Sequence, residues 1–204
     1  VYENIKNVIG FLLSGNMAGI FCVLYASLMA LPAPFAAVHL LFINLLTDSL
    51  PAIAIGMEPA SSDLLGRKPR DPKEPLLSGD LVKRIGLQGL LIAVPVMTAF
   101  YLGYQTGTAE AMTMAFATLT LARLFHGFNC REDRSILRMG LSGNPASLAA
   151  FGVGVLLLLA VLLIPALHGL FLVADLTLAQ LGMILGLAVL PTLCIQITRI
   201  ARGK

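Results

Sequence analysis

The sequence predicts an all-α fold, a polytopic membrane helix bundle of six transmembrane helices with both termini on the cytoplasmic side. Three observations carry this expectation. Of 204 residues, 57% are hydrophobic and only 12% charged, about half the roughly 25% charge of soluble globular chains. The mean hydropathy is +0.87, which excludes a disordered chain, because disorder needs low hydrophobicity and high net charge. Finally, all but one of the 14 Lys and Arg residues fall in the connections on one side of the apolar runs, as the positive-inside rule requires of a membrane protein.

A spanning helix needs about 20 mostly apolar residues to cross about 30 Å of hydrocarbon. Val8–Leu31 is the first such run, and Pro32-Ala33-Pro34 closes it with no basic residue. Phe35–Met57 is the second. It leads into the connection Glu58–Asp80, whose Pro59, Pro69, Pro72 and Pro75 exclude a long helix there. Its mixed charges suit either a structured connection that docks on another domain or a solvated linker. Ile85–Tyr104, Ala111–Phe128, Ala146–Leu167 and Leu178–Ile197 complete the set. Irregular backbone cannot face lipid, and a membrane β-barrel would show short alternating segments instead of these continuous runs.

Lys6, the basic cluster Arg67 to Arg84, the group Arg131, Arg134 and Arg138, and the terminal Arg199, Arg202 and Lys204 mark the cytoplasmic side. The outer connections are short and carry no glycosylation signal, which fits a bacterial plasma membrane. Cys22, Cys130 and Cys194 are an odd and scattered set, unlike a disulfide framework or a metal site. A net charge of +3 with no basic stripe gives no reason to expect a nucleic-acid partner, so the lipid bilayer is the expected one. The chain begins Val1-Tyr2-Glu3 instead of with Met, and its first apolar run is too long for a cleavable signal. We therefore expect a piece of something longer.

Polar residues inside spanning helices are costly and usually face a cavity or a pathway. Asn44, Thr47 and Asp48 stand at i, i+3 and i+4, which would place them on one face of an α-helix. Pro51 cannot donate a backbone hydrogen bond and clashes with the carbonyl of Thr47, so a helix break is expected there. The donors are all oxygens, suited to a hard cation such as Ca²⁺. The bland alternative is a hydrogen-bonded polar patch between helices. Asn16 adds a neutral oxygen from the first helix, where Gly15 and Gly19 form a small-xxx-small spacing that equally suits close packing. Arg123, within the fourth run, either snorkels to the interface or points inward toward Asp48. At about 1.5 Å per residue, Asn16, Asp48 and Arg123 lie about 9–14 Å from the cytoplasmic boundary, at similar depth. His39, His126 and His168 share no ligand spacing and read as hydrogen-bonded or interfacial residues. The last two helices have almost nothing polar and read as scaffold.

The stretch Asn44-Leu45-Leu46-Thr47-Asp48-Ser49-Leu50-Pro51-Ala52-Ile53-Ala54-Ile55-Gly56, the proline-rich Arg67-Lys68-Pro69-Arg70-Asp71-Pro72-Lys73-Glu74-Pro75-Leu76 and the segment Tyr2-Glu3-Asn4-Ile5-Lys6 to Ser14-Gly15-Asn16 together resemble the C-terminal membrane domain of the P-type Ca²⁺-transporting ATPases. The resemblance covers residues 1–204 as one domain, the last six of that family's ten transmembrane helices. It implies that Asn16, Asn44, Thr47 and Asp48 bind the transported Ca²⁺. At two positions where two-calcium pumps carry a liganding Glu, this chain has Gly19 and Arg123. Since Arg stays charged in proteins, the resemblance with these departures implies one ion per cycle, centred on Asp48, with Mn²⁺ or another divalent cation as an alternative cargo. It further implies proton counter-transport, and partners in the parent's N-terminal helices and cytoplasmic phosphorylation and nucleotide domains, where ATP and Mg²⁺ would bind. Those domains have no counterpart in these residues, so the chain by itself is not expected to hydrolyse ATP. Two other readings of the same residues are a proton-coupled secondary transporter or channel fragment, and a membrane scaffold held by an Asp48–Arg123 ion pair.

Overall fold

The computed structural model describes residues 2–59, 76–140 and 143–203. Most of the proline-rich connection, including Pro69, Pro72 and Pro75, lies outside the described residues. Among those described there is no strand. The helices are α1 (Tyr2–Leu28), α2 (Ala37–Leu41), α3 (Ser49–Gly56), α4 (Gly79–Tyr104), α5 (Thr108–Arg131), α6 (Ile136–Met139), α7 (Pro145–Leu163), α8 (Pro165–Phe171) and α9 (Leu178–Ala201). A π-helical segment, Phe42–Thr47, joins α2 to α3.

Local chemistry explains where these helices begin and end. Ser78 caps α4 by accepting from the Leu81 N–H at 3.4 Å, so α4 starts a turn and a half before the apolar run that announced it. Thr177 and Gln180 form a reciprocal capping box at the start of α9, the arrangement that satisfies two orphan donors at once. The expected span Ala146–Leu167 is not one helix. Ile164 is extended, with φ −95° and ψ 106°, between α7 and α8, because a residue before proline is driven out of the α region by the Pro165 ring.

Among the described residues, five helical runs are long and apolar enough to cross a membrane, namely α1, Ala37–Gly56, α4, α7 and α9. The fourth expected span, α5, is long enough at 24 residues but more polar, with Thr113, Thr118, Thr120, Arg123 and His126 all buried. Its position gives the reason. Helix α5 is the axis of the bundle, with α1, α4, α7 and α9 around it, and residues 113–124 are buried without interruption. A helix sheathed in protein need not be apolar toward lipid. The outward faces show the opposite composition: Leu45, Leu87, Leu156 and Leu178 are exposed, as lipid-facing residues should be.

Packing between α1 and α4 depends on Gly89. A Cβ there would lie 2.8 Å from the Met17 Cβ and 3.1 Å from the Ser14 carbonyl oxygen, so only glycine admits this close backbone approach. At the other end of the bundle the His39 ring stacks on Phe116 with centroids 4.4 Å apart, and Phe42 meets Phe116 and Phe171 edge-on. The Ala36 N–H donates to His39 Nδ1 at 3.1 Å. Nε2 then carries the proton and donates to the Phe171 carbonyl at 2.7 Å. Both ring nitrogens are therefore occupied in fixing α2 against α5 and α8.

Candidate ion site

The π segment shapes the site before any side chain does. The Asp48 N–H donates to the Ile43 carbonyl at 2.8 Å, five residues back instead of four, and the Thr47 hydroxyl donates to the same oxygen at 3.0 Å. Single π turns inside helices are frequent at functional positions. Here the wider turn separates residues that α-helical spacing would align. Thr47 and Asp48 are 1% and 2% exposed, whereas Asn44 faces outward. The interruption also lies upstream of Pro51 and not at it. Pro51 occupies the first turn of α3, where proline is tolerated, and the lack of an N–H at this residue leaves the Thr47 carbonyl without that donor.

Arg123 reaches this point from α5 and is 2% exposed. Its guanidinium turns inward: Nη2 donates to Asp48 Oδ2 in a buried ion pair and to Asn16 Oδ1 at 3.2 Å. One cationic group thus bridges oxygens of α1 and of the π segment–α3 junction. Gly15 makes this possible, because a Cβ at that position would collide with the guanidinium. Gly19 has a different setting, with no atom of another residue within 4 Å of where its Cβ would be. The two glycines therefore do not form a shared packing seam. Asp48 Oδ1 and Arg123 Nε are both buried without a hydrogen-bond partner among the described residues. Asn16 itself lies on the exposed side of α1. The structure thus gathers Asn16, Asp48 and Arg123, keeps Thr47 next to Asp48, leaves Asn44 exposed, and buries Gly19 without a contact to Arg123.

Two further polar clusters were not legible as such in the sequence. Just past the C-terminal end of α3, Glu58 accepts from Arg131 Nη2 on Oε1 at 2.7 Å and from Arg131 Nε on Oε2 at 2.8 Å. Asn144 Nδ2 donates to the same Oε2 at 2.7 Å and to the Ala54 carbonyl at 2.8 Å. Asn4 donates to the carbonyls of Gly56 and Glu58, and Asn7 to that of Arg131. The second cluster ties α5 to α9. Gln196 Nε2 donates to Asn129 Oδ1 at 2.6 Å, Asn129 Nδ2 to the Thr192 hydroxyl at 2.9 Å, and Arg199 to the carbonyls of Asn129, Glu132 and Arg134. Helix α9 is thus more than apolar scaffold. Its polar face closes the C-terminal end of α5, whose last carbonyls need such donors. His126, fully buried, makes a 3.0 Å hydrogen bond with Ser14 and stacks on Phe11, joining α5 to α1. Spacing in the sequence could not have paired residues so far apart in the chain.

Fold and site together define an integral membrane protein built around a hydrophilic intramembrane site. Residues 32–201 match the family described as "Cation transporting ATPase, C-terminus". The chain belongs to this family as the C-terminal membrane domain of a cation-transporting P-type ATPase. It is 36% identical over its full length to a calcium-transporting ATPase of Bacillus subtilis, of which it covers 23%. A calcium-transporting ATPase of Lactococcus lactis is likewise 36% identical, with all of this chain and 23% of that protein aligned. One of Listeria monocytogenes is 34% identical over all of this chain and 23% of its own length. The chain therefore spans about a quarter of the length of the curated relatives it matches. Its membrane-length apolar helices and these bacterial relatives make it an integral protein of the plasma membrane.

Proposed function

We propose that this chain is the ion-translocating part of an ATP-driven Ca²⁺ pump that moves one Ca²⁺ per cycle, with the site centred on Asp48. The observation that carries the reading is the Arg123 guanidinium held by oxygens of Asp48 and Asn16. A permanent charge resides where a second cation would otherwise be bound, and Asp48 keeps one oxygen, Oδ1, with no partner among the described residues. In this reading Asp48, Thr47, Asn44 and Asn16 are the oxygen donors to the transported ion, while Gly19 and Arg123 remove the second site. Ca²⁺ takes roughly 6–8 oxygens, so these donors leave room for others. The outward-facing amide of Asn44 supports a site completed by helices upstream of this chain, because an amide turned toward lipid would lack hydrogen-bond partners.

The same proposal includes α5 as the sixth span, both termini in the cytoplasm, and proton counter-transport. ATP and Mg²⁺ would act in cytoplasmic domains of the parent that connect through the start of α1 and the Glu58–Asp80 connection. The relatives named as calcium-transporting ATPases support Ca²⁺ as the cargo.

The test is a calcium titration of the full-length protein containing this chain, with bound ⁴⁵Ca²⁺ measured against phosphorylated protein. One Ca²⁺ per phosphorylation site is expected, and two at saturation would sink the single-site reading. Asp48→Asn is expected to abolish calcium-dependent ATP hydrolysis. A scaffold held by the Asp48–Arg123 pair is the second reading, favoured by the pair itself. It predicts that Asp48→Asn lowers stability and leaves the calcium dependence of the folded fraction intact.

A further inference from the structure

Two buried ion pairs join α5 to the residues that flank α3 on either side. Asp48–Arg123 lies deep in the bundle and Glu58–Arg131 just past the C-terminal end of α3. Between them, Gly127 faces Pro51 at ordinary contact distance, since a Cβ on Gly127 would lie 3.4 Å from the Pro51 Cβ. Pro51 is one turn beyond Asp48, and Gly127 is one turn beyond Arg123. Arg131 follows Gly127 by one further turn, and Glu58 follows Pro51 by two. Helix α3 thus packs on α5 between the two ion pairs.

The two pairs differ in how completely they are satisfied. Asp48 Oδ1 and Arg123 Nε lack hydrogen-bond partners among the described residues. Both oxygens of Glu58 accept bonds, in a bidentate fork from Arg131 and a further bond from Asn144. Bidentate guanidinium–carboxylate pairs are the geometrically specific kind. A buried pair adds little stability over well-packed apolar residues of the same volume, so its value lies in fixing geometry. This one fixes much: Asn4 and Asn7 bring the start of α1 onto the same point, and Asn144 brings the start of α7.

We propose that Glu58 and Arg131 are positioning residues for the Asp48 site. They anchor the C-terminal end of α3 on α5. A cation that draws Asp48 away from Arg123 shifts α3, and the Glu58 cluster, which holds Asn4 of α1, carries that shift to the start of α1. The inference rests on the reading of Asp48 as the ion-binding carboxylate. It assigns Glu58 and Arg131 no direct contact with the ion.

The test uses the full-length protein with Glu58→Gln, Arg131→Met, Arg131→Lys and, separately, Asp48→Asn. Two readouts are taken: the calcium concentration for half-maximal phosphorylation from ATP, and the thermal unfolding midpoint. Glu58→Gln and Arg131→Met are expected to shift half-saturation by about 10-fold, the usual size of coupling between linked sites. The maximal phosphorylation level should stay within about twofold. Arg131→Lys, which keeps the charge and loses the fork, should fall between, and it gives the reading if the more severe variants do not fold. An unchanged half-saturation with a lowered unfolding midpoint would overturn the proposal and leave the cluster a structural brace. If Asp48→Asn abolishes the calcium response while Glu58→Gln leaves half-saturation unmoved, the anchor fails and the Asp48 site stands. If Asp48→Asn retains the calcium response, the site and the anchor fail together.

Discussion

The smallest side chain at the site controls the largest. Arg123 reaches Asp48 and Asn16 across the face of α1 only because Gly15 offers no Cβ to collide with it. Gly15→Ala would force the guanidinium aside or push α1 and α5 apart. Overpacking of this kind costs about 1–3 kcal/mol. The unfolding midpoint of the purified full-length protein should therefore fall for Gly15→Ala. It should hold or rise for Gly19→Ala, where the new methyl meets nothing within 4 Å and a helical glycine is removed at a gain of about 0.5–1 kcal/mol. Equal losses in the two variants would refute the distinction between these glycines. This difference was not legible in the sequence, since an i, i+4 glycine pair on a membrane helix looks the same whether it meets a backbone, a guanidinium or open space. The charges were legible. Asp48 and Arg123 stood out because ionisable residues in apolar runs need a reason, and similar depth brought them together before any contact was known.

At the scale of the element, apolar runs located the helices, but caps and turns set their ends. The Pro165 break follows from a rule about pre-proline residues and could have been read from Ile164-Pro165. The π segment could not, because Phe42 to Thr47 carries no residue that forces an i+5 bond. Helix α9 shows how an apolar average conceals a polar stripe. Thr192, Gln196 and Arg199 recur at four- and three-residue steps and all meet the end of α5. Gln196 is central, since it donates to Asn129 Oδ1 and accepts from the Ile136 N–H at 2.8 Å. Gln196→Leu makes the helix more apolar, as lipid would favour, yet it removes both partners. An unsatisfied buried polar group costs about 1–3 kcal/mol, so the variant is expected to unfold at lower temperature and to be cut more readily by protease between Glu132 and Asn144. An unchanged midpoint and digestion pattern would show that water replaces the amide at no cost.

At the scale of the whole molecule, the one-sided distribution of basic residues was the most legible property and also the most easily misattributed. Arg131 and Arg199 counted toward the cytoplasmic side, yet both are buried and serve as hydrogen-bond donors between helices. The charge signal that remains, from Lys83, Arg134 and Arg202, is exposed and still lies at one end. Tyr25 and Tyr101, whose hydroxyls are 3.0 Å apart, stand at the other end, where interfacial aromatics belong. Helix α5 is the element on which the topology turns, because its composition alone does not mark it as a span. Geometry argues for a crossing. Helix α4 qualifies as a span and begins near Arg84, and a short turn at its far end leads directly into α5. Just beyond the other end of α5, Asp133 returns to Arg84 with a 3.0 Å ion pair. Because the two helices share both ends, we propose that α5 traverses the same thickness as α4. In cells expressing the full-length protein with its native cysteines replaced, Thr106→Cys is expected to react with a membrane-impermeant maleimide added outside. Arg134→Cys, on the exposed segment after α5, is expected to react only after lysis. Labelling of Arg134→Cys in intact cells would mean that α5 does not cross, and both the six-span count and the cytoplasmic C-terminus would fall with it.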